Sequence, residues 1–122
     1  MRKILIVEDE LGILDLLTTV LEEEGYAVQG ARNGREGLER LKRDRPDLVL
    51  CDLMMPQMDG CELFQKMQAE PALSSIPFLL MSAVRSDSRR VQSCGLDVAL
   101  NKPFDLTTLI RTVSEALGRS VR

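Results

Sequence analysis

Four apolar residues in a row, Ile4-Leu5-Ile6-Val7, give way at once to three acids, Glu8-Asp9-Glu10. A strand with one wet face alternates apolar and polar side chains, whereas an unbroken apolar run needs cover on both faces. The same signature returns at Leu48-Val49-Leu50-Cys51, which ends in Asp52, and at Phe78-Leu79-Leu80-Met81, which ends in Ser82. Strands of this kind belong to a parallel sheet, and parallel neighbours must be joined by crossovers, usually helices.

The intervening sequence supplies those helices. Residues from about 10 to 24 carry Leu14, Leu17 and Leu21 on one helical face, and Gly25 stops them. Tyr26 to Ala31 reads as a second strand and Asn33-Gly34 as a turn. Leu38 and Leu41 mark the inner face of a second helix, closed off by Pro46 before a third strand at Asp47 to Cys51. Asp59 is a fitting N-cap for a third helix with Leu63, Phe64 and Met67 inward. Pro77 opens the fourth strand, where a missing N–H is tolerated. Residues from about 86 to 94 read as a fourth helix, polar apart from Val91 and Cys94 and ended by Gly95. Asp97 to Leu100 is a fifth strand. Asp105 caps a last helix whose Leu106, Leu109, Ile110, Val113 and Leu117 face inward. Five βα units in succession predict an α/β three-layer sandwich, a five-stranded parallel sheet with helices on both faces. The 122 residues suit a single domain over 1–122, with no output domain expected after Gly118 to Arg122.

Composition removes several functions. A net charge of −3 and only 3% aromatic residues leave neither a basic stripe nor stacking platforms, so no direct nucleic-acid partner is expected. The first apolar run is too short for a signal peptide, and no segment has membrane-spanning length, so the chain reads as cytoplasmic with no membrane partner. Cys51, Cys61 and Cys94 show no CxxC spacing and are expected to be reduced, packed as small apolar residues. The chain has no histidine, which excludes a His triad, a His metal site and a phosphohistidine.

In open α/β sheets, sites form at the carboxyl ends of the strands. Glu8-Asp9-Glu10, Asp52, Ser82-Ala83 and Asn101-Lys102-Pro103-Phe104 all follow such ends. Carboxylates gathered there repel, and one takes up a proton unless a cation intervenes. Hard oxygen ligands suit Mg²⁺. Lys102 offers a mobile point charge suited to phosphate, and Ser82 a hydroxyl donor. Asp52 is then the candidate nucleophile of a phosphoryl transfer. Taken singly, each residue has a plainer reading: the acids start a helix with a favourable macrodipole, Lys102 is a surface lysine, Ser82 ends a strand, Asp52 caps a loop. Their convergence on one rim is what carries the chemistry.

The stretches ILIVEDE, PDLVLCDLMMPQMDG, LLMSA and NKPF resemble the receiver domain of two-component response regulators, of the chemotaxis-regulator type, over nearly the whole chain. The resemblance implies a flavodoxin-like fold with strand order 2-1-3-4-5. It implies Glu8, Asp9, Asp52 and the Met54 carbonyl as Mg²⁺ ligands, Asp52 as phosphoacceptor, Ser82 as switch hydroxyl and Lys102 as the phosphate-contacting cation. In that family the bond equivalent to Lys102-Pro103 is often cis. A histidine kinase or phosphotransfer protein would be the donor, an unidentified downstream protein the receiver of the signal, and homodimerisation stays open. The domain would catalyse its own modification without being a turnover enzyme.

One position departs from the pattern. The family usually places an aromatic three residues before the lysine, and Ala99 stands there. The usual route through the fourth helix, fifth strand and fifth helix is then in question, and backbone shifts around Ser82-Ala83-Val84 are the expected substitute. The apolar Met54 and Val84, flanking the phosphoryl position, predict slow self-dephosphorylation, because neither orients a water. The alternative is a pseudo-receiver, a phosphorylation-independent binding module, which Ala99 favours and the intact acids oppose. A flavodoxin would want a phosphate loop where the acidic VEDEL stands, and a dehalogenase-type phosphatase a second acid where Met54 stands.

Overall fold

The computed structural model describes residues 1–83 and 88–118. Strands and helices alternate as β1 (Lys3–Val7), α1 (Leu11–Glu23), β2 (Ala27–Ala31), α2 (Gly34–Arg43), β3 (Leu48–Asp52), α3 (Gly60–Gln68), β4 (Phe78–Ser82), α4 (Ser88–Cys94), β5 (Val98–Asn101) and α5 (Leu106–Ala116). All strand pairs are parallel, and the sheet order is β2-β1-β3-β4-β5. This is the flavodoxin-like arrangement the sequence predicted.

The unbroken apolar runs divide between two faces. Ile4, Ile6, Leu48 and Leu50 enter one core with Leu14, Leu17 and Leu21 of α1 and Leu109 and Val113 of α5. Leu5, Val7, Val49 and Cys51 enter the other with Leu41 of α2 and Leu63 and Met67 of α3. Period-two alternation within a run therefore feeds both layers at once. Burying each such Leu or Ile contributes roughly 2 kcal/mol. A smaller cluster of Leu53, Cys61, Leu80 and Val91 joins α3 to α4.

Local chemistry sets the element ends. After α1, Gly25 adopts φ +95°, its N–H donates to the Glu22 carbonyl, and the Tyr26 N–H reaches back to the Leu21 carbonyl at 3.2 Å. That left-handed stop satisfies carbonyls the helix leaves open, and only glycine adopts it without strain. The Asp59 side chain accepts from the Glu62 N–H while the Glu62 side chain accepts from the Asp59 N–H, a reciprocal cap on α3. Asp105 caps α5 through the Thr108 N–H.

Four expectations need correction. Asn33-Gly34 is a helix start rather than a turn: the Asn33 side chain accepts from the Glu36 N–H and caps α2. Leu106 does not face inward. It opens α5 and is 41% exposed. Cys61 and Cys94 are not separate thiols but form a disulfide, with Cα atoms 5.7 Å apart; Cys51 is free and buried. The fifth strand ends one residue later than expected, at Asn101, beside an irregularity between Leu80 and Met81. Residues 86 and 87 of the expected fourth helix, and Val84, lie outside the described residues.

Candidate functional site

The sheet order puts β1 and β3 side by side, so their carboxyl ends open onto one cleft. Glu8 follows β1 directly. Its N–H donates to the Ala31 carbonyl at 2.9 Å, which extends the ladder by one residue and draws the side chain inside. Glu8 is fully buried, Asp52 at the tip of β3 is 6% exposed, and Asp9 is half-buried. A carboxylate oxygen from each of the three lies within 4.8 Å of the others.

The loop after Asp52 is closed tightly. The Leu53 N–H donates to the Met81 carbonyl, and the Gly60 N–H returns to the Leu53 carbonyl, both at 2.9 Å. A Cβ on Gly60 would sit 2.9 Å from the Asp52 carbonyl oxygen and 2.9 Å from Leu80, so any side chain there would force the tip of β3 to move. Met54, two residues past Asp52, leaves its side chain 60% exposed at the mouth of the cleft, while Met55 packs inward.

From the opposite side, β5 delivers Lys102. Its N–H donates to the Ser82 carbonyl at 2.9 Å, which fixes the residue against β4, and the Lys102-Pro103 peptide is cis. The Lys102 ammonium is 2.9 Å from Asp52 Oδ1 and 3.6 Å from Glu8 Oε1. Ser82 is buried at the end of β4, paired with Asn101 and one residue beyond the Met81 that faces Asp52. Its hydroxyl donates to the Ala83 carbonyl at 3.4 Å.

The charges in this cleft are out of balance. Burial, and then the Asp52 carboxylate, push the Glu8 carboxyl up to about 7, with the Glu10 N–H and Lys102 pulling the other way. Glu8 Oε2 accepts from that N–H at 3.2 Å, but Oε1 is buried without a hydrogen bond. For Lys102, burial works against the charge, and the Asp52 and Glu8 carboxylates overcome it and hold the pKa above its ordinary value. Among the described residues, the Lys102 ammonium pairs with two of the three clustered carboxylates, Asp52 and Glu8, and Glu8 Oε1 makes no hydrogen bond. Such a donor set fits a small hard dication with oxygen ligands.

All the side chains expected at the rim, Glu8, Asp9, Asp52, Ser82 and Lys102, do stand at adjacent strand ends. Cys51, beside the nucleophile candidate, is a packing residue: burial and then Asp52 raise its thiol pKa well above the ordinary value, which keeps it unreactive. Sequence reasoning passed over Arg32. This exposed residue follows β2, and its guanidinium donates twice to the Asp9 carbonyl at 3.3 Å, steadying the acidic turn. Applying the strand-end rule to β2 as well would have found it.

Comparison with known proteins agrees with this geometry. The family described as the response regulator receiver domain matches residues 4–114. The DNA-binding dual master transcriptional regulator RpaA of Synechocystis sp. is 35% identical over the whole chain but over 52% of its own length. The chain spans about half the length, or less, of several of the curated relatives it matches, but 97% of the polar-differentiation response regulator DivK of Brucella anthropi, at 29% identity. The receiver domain of a signal transduction histidine kinase from Syntrophus aciditrophicus superposes with a TM-score of 0.91 at 36% identity, covering 100% of this chain and 94% of that one. The receiver domain of a sensor histidine kinase from Pseudomonas aeruginosa, with a magnesium ion coordinated in its active-site cleft, superposes at 0.88 with 25% identity, covering 96% and 98%.

Proposed function

The chain belongs to the response regulator receiver domain family, and we propose that within it Asp52 is the phosphoacceptor of a two-component signalling switch. The observation that carries this reading is the Lys102 ammonium 2.9 Å from Asp52 Oδ1, inside a cluster of three carboxylates. The buried Glu8 Oε1 has a 3.6 Å ion pair with the same ammonium but no hydrogen bond, so the cluster is short of positive charge.

Glu8, Asp9 and Asp52 would hold Mg²⁺, with the Met54 carbonyl as a further oxygen; the bound ion would supply positive charge to the oxygens of an incoming phosphoryl group. The magnesium in the Pseudomonas receiver supports the assignment. Asp52 attacks phosphorus with one carboxylate oxygen while the bond from phosphorus to the donor's imidazole nitrogen breaks, and that nitrogen leaves with the electron pair. Lys102, released as the carboxylate becomes an acyl phosphate, turns to the phosphoryl oxygens, and the Ser82 hydroxyl donates to another. The stiff strand holding Asp52 and the return of Gly60 onto Leu53 fix the attacking oxygen.

The donor is a histidine kinase or phosphotransfer protein, and the added charge of about −1.5 to −2 biases a two-state equilibrium read by a downstream protein through contact. We place the switch in the cytoplasm; among the described residues, no helix is long and apolar enough to cross a membrane. Ala99 keeps a second reading in play, a binding module without a switch.

Intact mass after incubation with acetyl phosphate and Mg²⁺ decides between the two readings. The expected result is a gain of one phosphoryl group that Asp52→Ala abolishes and that decays more slowly than the seconds scale. No gain in the unsubstituted chain would establish the binding module instead.

A further inference from the structure

Two ties bind α4 to the first turn of α3. Arg90 donates to both carboxylate oxygens of Asp59, at 2.7 and 3.1 Å. Cys94, the last residue of α4, is disulfide-bonded to Cys61, the second residue of α3. The described part of helix α4, Ser88–Cys94, has seven residues. Val91 is its buried apolar anchor, set in the small cluster with Cys61, Leu53 and Leu80. Its position therefore depends on what α3 offers it. That turn of α3 is in turn the end of the loop that begins at Asp52: the N–H of Gly60, the neighbour of Cys61, donates to the Leu53 carbonyl, and a Cβ there would meet the Asp52 carbonyl oxygen at 2.9 Å.

We propose that Cys61 and Cys94 are a reversible thiol–disulfide pair whose oxidation state sets how firmly α4 is held to the Asp52 loop, a redox input to the same domain. The 5.7 Å between Cα atoms lies within the range a disulfide spans with no movement of the backbone, so the two sulfurs exchange partners in place. Their burial differs in the way a reversible pair requires. Cys94 is half-buried and reachable by a small oxidant, while Cys61 is fully buried and reachable only by Cys94. A low-molecular-weight disulfide such as oxidised glutathione suffices. The Cys94 thiolate attacks one glutathione sulfur and the other glutathione leaves as a thiolate. The Cys61 thiolate then attacks Cys94 Sγ in the mixed disulfide, expelling the second glutathione. The two cysteines are oxidised, one glutathione disulfide is reduced to two thiols, and the two protons pass from the cysteines to them. Cys51, free and fully buried within β3, stays out of the exchange.

The bond's consequence for signalling rests on the phosphoacceptor reading, but its existence and its grip on α4 do not. The test uses the chain without a phosphoryl donor, in dithiothreitol and in oxidised glutathione. Denatured and alkylated, the reduced chain is expected to take up three alkyl groups and the oxidised chain one, while Cys61→Ala in oxidised glutathione should retain a glutathione adduct on Cys94. Hydrogen exchange of the folded chain should be at least about ten-fold faster across α4 in the reduced state than in the oxidised state, with β1 and β3 unchanged. Three alkyl groups under both conditions, or α4 exchanging alike in both states, overturns the proposal. Neither readout involves Asp52, so their failure leaves the phosphoacceptor reading standing, and the converse holds for the acetyl phosphate experiment.

Discussion

Two acid–base clusters flank the loop from Asp52 to Asp59, and they are built on opposite principles. At the rim, three carboxylates cluster around an ammonium that pairs with two of them, and a buried oxygen of Glu8 goes without a hydrogen bond. At the start of α3, one carboxylate has the Glu62 amide and both arms of the Arg90 guanidinium. The titration behaviour follows. Burial and Asp52 drive Glu8 upward, whereas at Asp59 burial is overcome by Arg90 and the backbone amides, which hold the carboxyl below its ordinary value. A satisfied cluster fastens; an unsatisfied one waits for something to complete it. The difference, more than the presence of acids, is what singles out the rim as the candidate site.

The largest effect that would break this contrast is at Glu8. Its folded pKa of about 7 exceeds the ordinary 4.5, so between those values the folded chain holds more protons than the unfolded one. Stability in EDTA should therefore fall as pH rises from 4.5 to 7. Glu8→Gln should remove that slope and stabilise the metal-free chain at pH 8 by up to about 3 kcal/mol, with Mg²⁺ protecting only the unsubstituted chain. Urea denaturation at pH 5 and pH 8 reads this directly, and identical slopes in both proteins would erase the distinction drawn between the clusters.

Asp59 should behave with the opposite sign. Its depressed pKa contributes stability that is present above the unfolded value and is lost as pH falls through the folded one. Asp59→Ala should cost about 1–2 kcal/mol at neutral pH, most of it from the lost helix cap, with the exposed side of the Arg90 pair adding little. A gain in stability would mean the cluster is strained rather than satisfied. Smallest of all is the pair Lys42–Glu70, 3.2 Å apart with both side chains well exposed. Lys42→Ala should shift thermal unfolding by an amount equivalent to about 0.5 kcal/mol or less. A larger loss would show that surface pairs in this fold carry more than solvent screening permits.

The rim was legible in the sequence because strand-end position follows from local pattern. Each unbroken apolar run states where a strand stops, and the parallel topology then brings the stops together, so Glu8, Asp52, Ser82 and Lys102 could be named from order alone. What stayed hidden depends on tertiary placement. Cys61 and Cys94 are 33 residues apart, with no spacing to suggest a bond, and meet because α3 and α4 share one apolar cluster with Leu53 and Leu80. Asn33 offered the same side-chain oxygen to a turn or to a helix cap, and local chemistry does not separate the two. Leu106 keeps the period of the buried stripe of α5, but the period does not say how far along the helix its cover extends.

The sheet order also places β3 third of five, with β1 on one side and β4 on the other. A centre strand hydrogen-bonded on both sides and roofed on both faces has the least compliance of any segment in the fold. Whatever is attached to its last residue cannot be absorbed by bending beneath it. On the phosphoacceptor reading, a displacement there would pass sideways, to the strands paired with it.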